Sequence, residues 1–350
     1  MNFEINSKIN MVDVNELVQL PDCRVCGSDS VQFVDSIRPY RNYSAAVFDC
    51  MQCGCRFVEH DPLAHEKLHS TASSYAFHKV LAKHVATYFG HGQIEKLRQY
   101  LRRVPKYKFV IDSLDTHREL NKIAEIGCSL GYLAAYFIAS GREIYGFDIS
   151  QTAILEASKN FGEHFYFASP ELLMANSPYD AIYHVGTIGC VESPLQMTNY
   201  LLSLLKPGGL LIFNAPNRRY LEQTGDLWVD TPPPDLVTIF PTVFWERNIS
   251  SEIADVTVRE NKLSLWAWLQ LRHAKHRTTF SNNERLFDVV SEQQAKSVRR
   301  SDLIKRRLYR LASGVLKVSL EQIGSPVVDP YGVFVLVRKK DSKSGIVNAV

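Results

Sequence analysis

The chain is 350 residues long, enough for one large domain, an accessory module and a sizeable core. With 45% hydrophobic and 22% charged residues it has the composition of a soluble globular protein, and a formal net charge of +3 is too small to call for a nucleic-acid partner. The amino-terminal stretch has no basic segment leading into an apolar one, and no apolar run approaches the ~20 residues that span a bilayer, so a cytoplasmic location is expected.

A polar lead-in gives way to two cysteine pairs, Cys23-Arg-Val-Cys26-Gly27 and Cys50-Met-Gln-Cys53-Gly54, separated by 23 residues. Two intervening residues let both thiols of a pair face one metal, and the following glycine permits the knuckle in which backbone N–H groups point at sulfur. Segments 31–34 and 46–49 have strand character. The reading is a ribbon with one structural Zn2+ held by Cys23, Cys26, Cys50 and Cys53; two redox pairs are the alternative. Four thiolates leave no open coordination position, so such a metal holds the module together and does no chemistry. Cys55 is a fifth thiol, read as a spectator. From 61 to 120 the pattern turns helical, with Phe77, Val80, Leu81, His84, Val85 and Tyr88, then Ile94, Leu97, Tyr100 and Leu101, at helical spacing. The histidines of this stretch lack a second cluster of ligands and read as solvated or packing residues.

Domain organisation is therefore expected as a lead-in and ribbon over 1–60, a helical linker or lid over 61–120, and an α/β domain over 121–350. A strand at 122–126 runs into Glu125-x-Gly127-x-x-x-Gly131, a helix follows at 132–139, and a strand at 143–147 ends in Asp148. Gly127 and Gly131 would let the backbone pass close to a ligand where a Cβ collides. Asp148, 21 residues after Gly127, sits where a carboxylate accepts hydrogen bonds from ribose hydroxyls; the spacing suits a dinucleotide or another adenosine ligand. Helices at 152–160 and 194–205 alternate with strands at 164–168, 179–185 and 210–214, the last preceded by the turn Lys206-Pro-Gly-Gly209. Strands at 254–258 and 331–338 follow, with a mainly helical insertion at about 262–325 before the last. The pattern predicts an α/β fold with a doubly wound, mainly parallel, seven-stranded Rossmann-like sheet.

Taken together with Tyr179-Asp180 and Lys206-Pro-Gly-Gly209, the loop and its acid resemble those of the class I S-adenosylmethionine-dependent methyltransferases over about residues 120 to 220. The resemblance implies that Glu125, Gly127 and Gly131 wrap the amino-acid end of S-adenosylmethionine and that Asp148 holds its ribose. Cys128, Ser129, Ile149 and Ser169 complete the implied cofactor-binding set. The chain departs from the family at the middle glycine of the loop, which is Ser129, small enough to fit. It also has Gly189-Cys190-Val-Glu192-Ser-Pro194 where many relatives carry Leu-Glu-His followed by Asp-Pro, so a histidine that serves some O-methyltransferases as base is replaced by Cys190. His184, at the end of the fourth strand, remains as the candidate catalytic base.

A ribbon followed by this domain is similar to bacterial small-molecule methyltransferases with an amino-terminal four-cysteine module. Members act on saccharides and on natural-product or cell-envelope precursors, including some sugar-nucleotide C-methyltransferases. Asn214-Ala-Pro-Asn217 and Asp230-Thr-Pro-Pro-Pro-Asp235 look like their substrate-side loops, with Asp235 where those proteins often carry histidine. The implied function is methyl transfer to a small-molecule acceptor, a saccharide or related intermediate. Segment 296–310 carries seven basic residues and one acidic: a solvated helix face, or a dock for an anionic acceptor or a membrane surface. The helical segment 62–117 is expected to close over the cofactor, with Tyr75 or His78 lining the pocket. The competing classes are an RNA methyltransferase read through the ribbon and a cofactor-binding relative without turnover. Against the first, His184-Val-Gly-Thr stands where base amino methylation uses Asn/Asp-Pro-Pro-Tyr/Phe, and Arg24, Arg38, Arg41 and Arg56 are balanced by Asp22, Asp29, Asp35 and Asp49.

Overall fold

A computed structural model describes residues 20–40, 43–70, 76–219, 232–263 and 327–341. The cysteine-bearing segment forms three antiparallel strands, β1 (Val31–Tyr40), β2 (Tyr43–Cys50) and β3 (Arg56–Val58). Helices α1 (Pro62–Ser70), α2 (Ala76–Gly90), α3 (Ile94–Leu101) and α4 (Pro105–Thr116) follow. The expected apolar stripe is displaced in α2: Leu81, Ala82 and Val85 are buried, whereas Val80 and His84 face solvent. The buried face continues through Leu97, Leu101, Val110, Ile111 and Leu114. Tyr75 and the side chain of Phe77 lie outside the described residues.

The chain then alternates through β4 (Lys122–Ile126), α5 (Ala134–Ala139), β5 (Glu143–Asp148), α6 (Gln151–Phe161), β6 (Phe165–Phe167), α7 (Pro170–Ala175), β7 (Tyr179–His184), α8 (Pro194–Ser203) and β8 (Leu205–Pro216). It continues with β9 (Thr238–Ile239), α9 (Phe244–Asn248), β10 (Ala254–Leu263) and β11 (Val327–Lys339). The large sheet has seven strands in the order β10-β11-β8-β7-β4-β5-β6, with β11 antiparallel to both neighbours and the strands from β8 to β6 parallel. This is the doubly wound arrangement that the alternation predicts. Because β11 reverses direction, β10 points the same way as the parallel strands. Leu263 lies opposite Val327, so the chain leaves and re-enters the sheet at its edge on the side of the parallel strands' carboxyl ends. Apart from its first residues, the insertion expected at about 262–325 lies outside the described residues, as does the basic segment 296–310. Among the described residues no helix is long and apolar enough to cross a membrane.

Two of the motifs that point to the fold work at the opposite end of the sheet. Asp180 pairs with Lys206 at 2.7 Å and accepts the amides of Asn121 and Lys122 at 3.0 and 2.8 Å, stitching together the amino ends of β4, β7 and β8. Burial opposes ionisation of Asp180, but the bonds to Lys206 and to these amides outweigh it and hold the carboxyl below its ordinary range.

Strand alternation sorts the core into two faces. Ile123, Ala181, Tyr183, Leu210 and Ile212 pack with the helices that precede and follow β4. Ala124, Ile126, Ile182, Leu211 and Phe213 face the other way, toward α8 and α9, where Trp245 is enclosed by Phe213, Phe240 and Phe244 at centroid distances of 4.8, 4.9 and 5.0 Å. Cys23, Val25, Val31, Phe48 and Phe57 of the ribbon belong to this same cluster. The ribbon sheet also gains its fourth strand, β9, from beyond β8, with Arg56 opposite Ile239 and Phe57 opposite Thr238. A boundary at residue 60 divides the sequence, but the core runs across it.

Gly131 and Gly141 separate two effects of glycine. Both hold a left-handed backbone, at φ +71° and +79°. A Cβ at Gly131 would stand 2.6 Å from the Phe165 ring and 3.0 Å from Ala157, whereas one at Gly141 meets nothing within 4 Å. Gly141→Ala should cost about 1–2 kcal/mol of backbone strain. Gly131→Ala should add about 1–3 kcal/mol of overpacking to that strain. Equal midpoints for the two variants in chemical denaturation would contradict this packing.

Candidate functional site

Parallel strands end together, and the carboxyl ends of β4, β5 and β7 bring three loops into contact. After β4, the amides of Gly127 and Cys128 both donate to Phe147 O, at 2.7 and 3.0 Å, fastening the loop to β5. Ser129 adopts φ 49°, unusual for a residue with a Cβ, and this turns its amide onto Asp148 Oδ2 at 2.7 Å. The other carboxylate oxygen accepts the Ser150 amide at 2.8 Å, at the cap of α6. Asp148 is thus buried, with each carboxylate oxygen accepting a backbone amide. The Ser129 hydroxyl is buried and has no hydrogen-bond partner among the described residues.

The glycines of the loop answer to neighbours within the protein. A Cβ on Gly127 would come 2.6 Å from Thr187 Oγ1, on the loop after β7, and one on Gly131 would strike Phe165. The expectation that they clear space for a ligand is therefore incomplete: they first let protein segments close on one another. Cys128 is buried, and its Cβ lies 3.2 Å from where Gly146 would carry one, so only its backbone belongs to the loop surface. Ile149 is 58% exposed, a large apolar side chain left bare beside the acid. Ser169 follows the strand paired with Asp148, since Phe167 lies opposite Asp148 and the Ala168 amide donates to Asp148 O at 2.9 Å. Its hydroxyl accepts the Leu172 amide at 3.1 Å as the cap of α7 and keeps its own proton to donate.

Glu125 is enclosed beneath the loop and accepts a hydrogen bond from Tyr183 at 3.0 Å. Burial pushes its carboxyl up to about 8, against the Tyr183 and Ala134 hydrogen bonds that favour the anion. His184, next in β7, faces the other side of the sheet, as strand alternation requires. Its ring is stacked on Phe213 at 4.7 Å and fully buried, and neither nitrogen has a partner among the described residues. Burial pulls its pKa down to about 3, so the ring is neutral. Sealed in this way, His184 presents no base to the carboxyl ends of the strands, contrary to the role expected for it.

A polar group that the sequence did not single out as a unit stands over the loop after β7. The Cys190 thiol approaches Gly186 O and Asp235 Oδ1, each at 3.5 Å. Lys106, at the start of α4, brings Nζ to 3.4 Å from the position of a Cβ on Gly186. Burial lowers the Lys106 pKa, while the nearby Cys190 and Asp235 oppose that shift. Asp235 stood out in the sequence only as a departure, and nothing in the sequence linked it to Lys106. Tyr132 follows Gly131 directly, and its hydroxyl meets His78 Nδ1 at 3.1 Å and the Tyr107 hydroxyl at 3.2 Å.

The four predicted metal ligands come together, their sulfurs all within 4.8 Å of one another. Cys23 and Cys53 lie 3.7 Å apart and Cys26 and Cys50 3.6 Å apart, each contact joining the two knuckles. Zinc–sulfur bonds of about 2.3 Å imply tetrahedron edges of about 3.8 Å, so the donor set fits Zn2+. The Val25 and Cys53 amides point at Cys23 Sγ and Cys50 Sγ, both at 3.4 Å, as the knuckle reading requires. Cys55 is buried outside the group.

The Glu125 carboxyl gives stability a signature in pH. Its ordinary value is 4.5, so between pH 4.5 and 8 the native protein keeps a proton that the unfolded chain has lost. The contribution is full below the unfolded value and is lost as pH rises through the native one. Urea midpoints of the ligand-free protein should therefore fall relative to those of Glu125→Gln across this interval. Parallel curves for the two proteins would contradict a protonated, buried Glu125.

Residues 89–286 match a family model described as a methyltransferase domain, a segment that takes in more than half of the chain. A curated relative, the ubiquinone biosynthesis O-methyltransferase of Nitrosospira multiformis, is 27% identical over 114 residues, covering 30% of this chain and 48% of that protein. The chain thus spans about half the length of the curated relative it matches. Among solved structures, the plantazolicin methyltransferase BpumL in complex with SAH is 14% identical, with a TM-score of 0.40 over 79% of this chain and 94% of that one. A SAM-dependent methyltransferase from Archaeoglobus fulgidus is 15% identical, with a TM-score of 0.39 over 70% and 94%. These distant structural likenesses say nothing of the acceptor. On the extent of the family match, together with the strand order and the loop at the carboxyl ends of β4 and β5, the chain belongs to the methyltransferase-domain family.

Proposed function

We propose that the protein transfers a methyl group to a small-molecule acceptor, a saccharide or related biosynthetic intermediate, at the loop after β7. The observation that carries this reading is the meeting of Lys106, Cys190 and Asp235 beside Gly186, on the loop whose Thr187 also touches the Gly127 turn. Donor and acceptor sites then share one loop. Glu125, Gly127, Cys128, Ser129 and Gly131 would hold the amino-acid end of the donor, with the unpartnered Ser129 hydroxyl as an added contact. Asp148 would hold the ribose, Ile149 would cover the base, and Ser169 would donate from the cap of α7. His78, joined to Tyr132, supports the helical segment as the wall closing over this side.

When bound, S-adenosylmethionine supplies a sulfonium methyl already activated for displacement. The chain's own residues are left to align the acceptor, exclude water and take the proton that it loses. Asp235 is the group suited to accept a proton from an acceptor hydroxyl, and Lys106 the group suited to offset negative charge growing on that oxygen. Zn2+ on the four cysteines would be structural. Against a nucleic-acid acceptor, two of the ribbon's arginines are turned inward: Arg56 forms a two-pronged pair with Asp49 at 2.7 Å, and Arg24 bonds backbone carbonyls. Ribbon charge of this kind is spent inside the fold and gives little to a phosphate backbone.

Incubation with donor carrying a deuterated methyl, followed by mass spectrometry of separated cell-extract fractions, tests the acceptor class. Label is expected among small metabolites, and recovery in RNA alone, or in no fraction, would refute the reading. Asp148→Ala should weaken S-adenosylhomocysteine binding by about 10- to 100-fold, the worth of one hydrogen bond to a charged acceptor. Asp235→Asn should leave that affinity unchanged and slow turnover by about 100-fold or more, as loss of a general base does. Titration calorimetry and single-turnover kinetics on the labelled product measure the two effects separately.

A further inference from the structure

Arg24 sits between the two cysteines of the first knuckle, yet its guanidinium is committed to backbone carbonyls elsewhere. Nη1 donates to Val58 O at 2.9 Å, Nη2 to Val191 O at 2.9 Å and Glu192 O at 3.0 Å, and Nε to Glu192 O at 3.1 Å. Val191 and Glu192 directly follow Cys190 on the loop after β7. A second route joins the ribbon to the same loop. The Val58 amide donates to Val237 O at 2.9 Å, and the Val237 and Thr238 amides both donate to Gly189 O, at 2.8 and 2.9 Å. Residues 189–192 are therefore gripped by the ribbon from both ends, and this grip lies between the metal knuckle and Cys190, Asp235 and Thr187.

We propose that Arg24 is a positioning residue that clamps the acceptor-side loop to the metal module, so that filling the four-cysteine site sets the geometry of residues 186–193. This rests on the reading of the cysteines as a metal site. The shape of a two-residue knuckle follows from both of its thiolates binding one ion, so the ion fixes the Arg24 backbone from either side. A planar guanidinium then reaches three carbonyls at once, which the compact ammonium of lysine does not. The donor loop has its own fastening through Phe147 O and Asp148, and it shares none of these bonds.

Hydrogen exchange of the full chain, followed by mass spectrometry with S-adenosylhomocysteine present, tests the clamp without knowledge of the acceptor. The Cys190, Val237 and Thr238 amides report directly, since they donate to Thr187 O and Gly189 O. Arg24→Ala should keep its zinc by elemental analysis and bind S-adenosylhomocysteine within about threefold of wild type, while exchange over 186–193 and 235–239 rises about tenfold or more. Removal of zinc from the wild type with a chelator should produce the same local rise. Arg56→Ala, which releases Asp49 and removes no side-chain bond to residues 186–193, should leave exchange over 186–193 at the wild-type rate. Wild-type exchange over 186–193 in zinc-loaded Arg24→Ala would overturn the proposal. So would an equal rise over 127–131 with loss of S-adenosylhomocysteine binding, which marks a general scaffold role. If Arg24→Ala does not fold, unchanged exchange in the metal-free wild type overturns it. A failure to label any small molecule strikes the proposed acceptor and leaves this result standing.

Discussion

The hydrogen bond from the Ser129 amide to Asp148 Oδ2 ties the loop after β4 to the end of β5, and the proposed donor site takes its shape from that tie. Adjacent parallel strands deliver their following loops to one edge, but they do not orient them. Here the loop after β4 is first pinned through Phe147 O and then turned by the left-handed residue at 129. A non-glycine residue in that region costs about 1–2 kcal/mol, whereas a hydrogen bond to a charged group contributes about 1.5–3 kcal/mol. The carboxylate therefore outweighs the strain. That balance lets a serine hold this position, and it places a hydroxyl on the loop that a glycine would not supply.

Much of this was legible in the sequence because it follows from periodicity and local spacing. The alternation of apolar runs gave the strands of the large sheet to within a few residues, and the cysteine spacing anticipated a cluster that the fold assembles. What escaped was set by long-range contact. Strand β9 is two residues long and exists because β3 offers it a partner, so no pattern in 238–239 announces it. Helix α7 is a single capped turn and a half, too short for a face to show. His184 looked available because it ends a strand near the site; period-two alternation assigns Tyr183 to the loop side, and the partners that bury His184 arrive from β8. Arg24 reads as an ordinary surface charge until the loop after β7 is brought against it.

The same long-range contacts change what the ribbon is. A module closed by four thiolates has no need of the rest of the chain to fold its own knuckles, and one linked by a flexible segment would be free to move. In this chain its apolar residues are part of the core beneath one face of the large sheet, and β9 makes the ribbon sheet discontinuous in sequence. Arg218 adds a third tie, donating to Gly54 O at 2.6 Å and pairing with Asp49 at 2.8 Å. Each of these ties connects ribbon residues to segments that follow β7 or β8. The ribbon is in this sense a wall of the domain, built from a distant part of the sequence.

Two carboxyl groups lie beneath and beside the proposed donor site, and their surroundings differ. Asp148 accepts two backbone amides, one on each carboxylate oxygen. Glu125 is enclosed on all sides, and burial outweighs its hydrogen bonds enough to hold the proton to about pH 8. An unpaired anion in that place would carry a desolvation cost of several kcal/mol, which protonation avoids. A ligand carrying positive charge reverses the balance, because a cation within a few ångströms favours the ionised carboxyl. A cationic ligand would offset the cost of ionising Glu125 by attraction to the carboxylate, whereas a neutral one would leave the carboxyl protonated.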